Sequence, residues 1–128
     1  MPLTPARLLD TRTDPCTTTI DGQALGGGPL AAGSTVELVV ARRAGVPADA
    51  SSVVLNVAVT GAASAGLITA YPCGVSKPNA ANLNYAVGDT VPNLVVAKVG
   101  AVGKVCLFTY GSTHIVADVN GWFPAAGA

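Results

Sequence analysis

The chain predicts an all-β fold: a two-sheet β-sandwich, jelly-roll-like, with about eight strands. Three observations carry that expectation. Apolar and polar residues alternate at a period of two in several segments, and those segments are rich in β-branched residues, Val above all. Turns built from Gly, Pro, Asn and Asp punctuate them at short intervals. No long stretch carries a helical period. At 128 residues the chain suits one domain with a real core. Residues 1–123 read as a single module and Pro-Ala-Ala-Gly-Ala at 124–128 as a linker remnant.

Taken in order, residues 5–12 form a short extended start bordered by Pro2, Pro5 and Pro15. Arg7, Asp10 and Arg12 are dense for so uncharged a chain. They read as structural ion pairs with partners such as Asp118 or Glu37; the sharper alternative makes them a wall of a polar site. Residues 17–33, with Gly26-Gly27-Gly28-Pro29, read as a long loop wrapping one edge. Without a following Gly-Lys-Ser/Thr and helix, those glycines are no phosphate cradle. Strands follow at 35–40, 52–60, 66–72, 81–86, 90–99 and 103–110. Residues 45–50 connect two of them, with room for one helical turn. Several strands are near-continuous apolar runs, which predicts two sheets with little exposed face.

The last strand, 113–123, organises the rest. Ile115, Ala117, Val119, Gly121 and Phe123 fall on one face at a period of two; Val116, Asp118, Asn120 and Trp122 fall on the other. The acid and the amide are either solvated or satisfied by Arg or backbone donors. The charged start needs such partners, so the first and last strands are expected side by side.

Composition narrows the function classes. Charged residues are 11% of the chain, and seven basic residues cancel seven acidic ones. No basic stripe follows a phosphate backbone, so nucleic acid is not an expected partner. Low charge favours self-association, making a homo-oligomer a candidate state. No apolar run reaches the roughly 18 residues of a membrane span, so no membrane insertion is expected. Met1-Pro-Leu-Thr-Pro is no signal peptide, so an export signal would belong to a longer parent.

Catalytic and metal patterns are weak. His114 is the one histidine and Glu37 the one glutamate. Ser64, in Ala62-Ala63-Ser64-Ala65-Gly66, mimics a nucleophile elbow but lies between strands, so it reads as a hairpin loop. An enzyme would need His114 within reach of a hydroxyl or acid in a cleft. Asp118-Val119-Asn120-Gly121 is a fragment of a calcium loop without the remaining ligands, and no Cys/His cluster suits zinc. No enzyme, metal or cofactor is expected. A polysaccharide site would draw on Trp122, Tyr71 and Tyr110 as platforms, with Asn82, Asn84, Asn120 and Asp118 bonding hydroxyls; Tyr85 and Phe108 are core candidates. The alternative packs the aromatics and ties the amides to loop backbone.

Three cysteines allow one pair and one left over. Cys73 follows one strand and Cys106 lies inside another, so they form either a disulfide between neighbouring strands or two buried thiols. The extracellular character of the chain favours the disulfide. Cys16 falls in a loop, as a free thiol or an intermolecular partner.

PARLLDTR at 5–12, AGS at 32–34, GVPADAS at 45–51, VLNV at 54–57, YPCG at 71–74, NLNY at 82–85, VPN at 91–93, GKVC at 103–106 and DVNGWF at 118–123 form one pattern. Together they resemble a repeat module of secreted and cell-surface proteins of actinobacteria. The resemblance implies export, a β-rich module excised from a longer parent, and pairing of Cys73 with Cys106. It brings no catalytic residue or ligand. The leading expectation is a non-catalytic extracellular module that spaces, adheres or self-assembles beside neighbouring protein modules. The alternative is a carbohydrate-binding module for cell-wall or environmental polysaccharide.

Overall fold

A computed structural model of the chain describes residues 1–125; residues 126–128 of the expected linker lie outside them. The strands are β1 (Pro2–Asp10), β2 (Thr35–Val39), β3 (Ser52–Thr60), β4 (Gly66–Pro72), β5 (Leu83–Tyr85), β6 (Val91–Lys98), β7 (Lys104–Thr109) and β8 (His114–Phe123). They build two four-stranded antiparallel sheets, ordered β1-β8-β3-β6 and β2-β7-β4-β5. Only β4 and β5 are sequence neighbours that also pair, and the other connections cross between sheets. This is the jelly-roll arrangement. The expected hairpin around Ser64 is therefore a crossover from β3 to β4. A turn residue signals that the chain bends, but not which sheet the next strand joins.

The first and last strands do pair, with Arg7 opposite Asp118 and Leu9 opposite Ala117. Alternation is cleanest in β3, where Val53, Leu55, Val57 and Val59 are all fully buried. They meet Ile68, Leu83, Val105 and Leu107 of the facing sheet in one core. No helical turn forms at residues 45–50. Among the described residues, the one short helical turn is at Ala101–Gly103, between β6 and β7.

Strict alternation in β8 fails at Asn120. Leu55 pairs with Val119, but Val54 pairs with Gly121, so Asn120 is an extra residue in a β-bulge. Beyond it the faces exchange. Trp122 lies opposite the buried Val53 and packs on the core. Phe123, which strict alternation puts on the face of Ile115, Ala117 and Val119, is 47% exposed.

The loop after β1 closes that strand's free edge. Ile20 N–H donates to Arg7 C=O at 2.8 Å, Asp10 N–H to Ala24 C=O at 3.1 Å, and Gly26 N–H to Asp10 C=O at 2.7 Å. Gly26, Gly27 and Gly28 all have positive φ, between 79° and 94°, a turn in which side chains would be strained.

Candidate functional site

The sandwich divides the sequence-derived binding residues between its two sheets. Asp118, Asn120 and Trp122 belong to the β1-β8-β3-β6 sheet, whereas Tyr71, Asn84 and Tyr110 go with the other. They form no single site. Trp122 is half-buried against the core and offers no free platform. Asn82 is occupied: its Oδ1 accepts from Ala70 N–H at 2.8 Å and its carbonyl accepts from Asn93 Nδ2. Tyr85 is buried, as the core alternative expected. Its hydroxyl accepts from Gly111 N–H at 3.1 Å and lies 2.7 Å from Thr109 Oγ1. Thr109 spends its own proton on Gly111 C=O, so the phenol donates to Thr109. Gly111 must be glycine here, because a Cβ would stand 2.7 Å from Ala65 C=O.

What remains on the β2-β7-β4-β5 face is an open groove of about 640 Å³ lined by Leu67, Lys77, Asn79, Phe108 and Tyr110. Tyr110 is 66% exposed. Phe108 is half-buried, with Lys77 Nζ 4.6 Å from its ring centroid, a cation–π contact that the sequence did not announce. The loop that brings Lys77 there is pinned at one end by Thr69 Oγ1 donating to Ala80 C=O, and at the other by the Cys73–Cys106 disulfide. Cys16 is an exposed free thiol.

The charged start forms ion pairs within the fold. Arg7 Nε donates to Asp118 Oδ1 at 2.8 Å, and Arg12 Nη2 donates to Asp10 Oδ2 at 2.8 Å. Asp10 is fully buried. Hydrogen bonds from Arg12 are the first cause holding its carboxyl below the usual range, against the opposing effect of burial. The bond to Asp118 in turn raises Arg7. Glu37 plays no part; it meets Lys104 at 3.2 Å on the other sheet. Sequence reasoning passed over Arg43, the most buried cation among the described ion pairs, which holds Asp21. Its one signal was an Arg pair in a chain so poor in charge.

His114 Nδ1 lies 2.9 Å from Thr11 Oγ1, the oxygen that also accepts Ile115 N–H at 3.1 Å. Ser64 Oγ accepts Ser112 N–H at 3.0 Å, tying two crossover loops together. Among the described residues no helix is long and apolar enough to cross a membrane, and no group of three or more His, Cys, Asp or Glu gathers to hold a metal.

The strand β6 departs most from expectation. Near-continuous apolar runs predicted little exposed face, yet Leu94 and Val96 are each 61% exposed. Val95 and Ala97 fill the core from the same strand. Both faces of β6 are apolar, so periodicity could not tell the inner from the outer. Leu94 pairs with Asn56 and Val96 with Val54, giving an outer face with little charge at an eight-residue edge.

No family model, curated protein or solved structure matches this chain.

Proposed function

We propose that this chain is a non-catalytic extracellular module that assembles with other modules at a bacterial surface. The observation that carries the reading is β6, a long open edge with Leu94 and Val96 exposed beside it. An edge of that kind templates pairing with another chain, and soluble proteins usually blunt it with charges, prolines or a covering loop. Here β1 has such a cover, and β6 has only Pro92 and Lys98 near its ends. The Cys73–Cys106 disulfide supports export, because such bonds persist in oxidising compartments. The resemblance to an actinobacterial surface repeat supports the same location.

The test is light scattering of the purified module, beside a pull-down on insoluble polysaccharides and isolated cell walls. Concentration-dependent oligomers without retention on polysaccharide are expected. A module that stays monomeric and is held on polysaccharide would overturn the reading.

A second reading rests on a separate observation. The exposed Tyr110 beside Phe108, Asn79 and Lys77 gives an aromatic and polar groove of the sort that stacks on a sugar ring. Retention on polysaccharide that Tyr110→Ala abolishes would favour it.

A further inference from the structure

We propose that β6 pairs antiparallel with β6 of a second copy, centred on Val95, so that two sandwiches share one continuous sheet. The inference rests on the assembly reading and names its partner. Backbone polarity decides which groups are free. Val99 N–H donates to Ser51 C=O at 2.9 Å, and the register continues as Lys98 with Ser52 and Ala97 with Val53. In an antiparallel ladder, alternate residues address opposite neighbours. The odd-numbered residues of β6 therefore address β3, and Leu94, Val96 and Lys98 present N–H and C=O to the open edge. Pro92 belongs to the same set, so the donor that it lacks is one that β3 never receives.

That edge is complementary to itself. With Val95 on the two-fold axis, Leu94 of one copy exchanges both backbone bonds with Val96 of the second copy. The Lys98 N–H of each meets the Pro92 carbonyl of the other, and only the proline donor is missing. The outer side chains then stand Leu against Val, and the two Lys98 side chains lie at opposite ends with no like charge between them. A chain of zero net charge adds no long-range repulsion.

The other edges of this chain make poorer partners. The β1 edge is covered by its loop, β5 has three residues, and β2 has five with Glu37 turned outward. Because the contact is isologous, it closes at two copies instead of growing into a fibre. It is also small, which makes the dimer weak and concentration-dependent.

Sedimentation from about 1 µM to about 1 mM, with amide exchange read at Leu94, Val96 and Lys98, tests the pair. A monomer–dimer equilibrium is expected, with those three amides slowing as dimer forms. Val96→Lys, an exposed substitution that leaves the core intact, should remain monomeric about 100-fold above the wild-type midpoint. Pro92→Thr, which supplies the missing donor, should tighten the dimer. Oligomers that Val96→Lys leaves unchanged would overturn the β6 pair while leaving assembly standing. A monomer whose β6 amides slow only on adding cell-wall material would assign the edge to a different partner and overturn the second copy. A monomer at every concentration, with fast β6 amides throughout, would overturn the pair and the assembly reading together.

Discussion

Arg43 and Asp21 meet through two 2.8 Å hydrogen bonds, Nε to Oδ2 and Nη2 to Oδ1, that bolt the long loop to the sandwich. The guanidinium also donates to Val39 C=O and Leu8 C=O, at 2.9 Å each. It therefore joins the end of β2, the inside of β1 and the loop that covers the β1 edge.

Asp21→Ala should cost about 2–3 kcal/mol in chemical denaturation, because Arg43 is left buried with backbone acceptors alone. The Asp10 and Gly26 amides, which bond the loop to β1, should then exchange faster than those of β3. Equal protection in variant and wild type would show that the bolt does not hold the loop.

Asp10→Ala should also lower the melting temperature, but by less, about 1–2 kcal/mol in stability. Arg7 and Arg12 keep side-chain exposures of 38% and 34% and can turn to water, whereas Arg43 at 3% cannot. An unchanged melting curve would count against the buried cluster.

Acid should unfold the protein through the same carboxylates. Unfolded, they titrate near the ordinary value of about 3.9. Folded, Asp21 is lowered to about 2, chiefly by its hydrogen bonds from Arg43, and Asp10 is lowered chiefly by Arg12. Groups lowered by folding stabilise fully above the unfolded value and lose that contribution as pH falls through the folded one. Melting temperature should therefore fall between about pH 4 and pH 2. Asp21→Asn should melt lower at neutral pH and show a shallower fall; a parallel curve would acquit Asp21.

The disulfide spans 33 residues with a Cα–Cα distance of 5.0 Å. Replacing both cysteines with serine should cost about 3–4 kcal/mol on the chain-entropy account. Reductant should destabilise the wild type and not the variant. A thiol reagent should label the native protein at Cys16 alone.

Trp122 and Tyr110, both platform candidates by sequence, should behave differently, because one packs on the core and the other stands exposed. Trp122→Ala should destabilise by about 2–3 kcal/mol, since the ring packs on the core. Tyr110→Ala should change stability by less than about 0.5 kcal/mol. Any polysaccharide retention should follow Tyr110. Retention that follows Trp122 with an unchanged melting curve would reverse this assignment.

The sequence by itself determined the run of strands, the neighbourhood of the first and last of them, and a long loop wrapping one edge. These follow from local causes: alternation in β3, glycines at 26–28, and charges near both termini that need one another. Only the tertiary structure decided which sheet each strand joins, because a turn at Ser64 or Gly111 reads the same whether it returns to its own sheet or crosses over. The tertiary structure also turned Trp122 inward, since one inserted residue at Asn120 reverses every side chain beyond it. It made Arg43 the bolt, because that role depends on acceptors from β1, β2 and the loop converging in space. It left Leu94 and Val96 in solvent, because a strand apolar on both faces does not say which face the second sheet will cover.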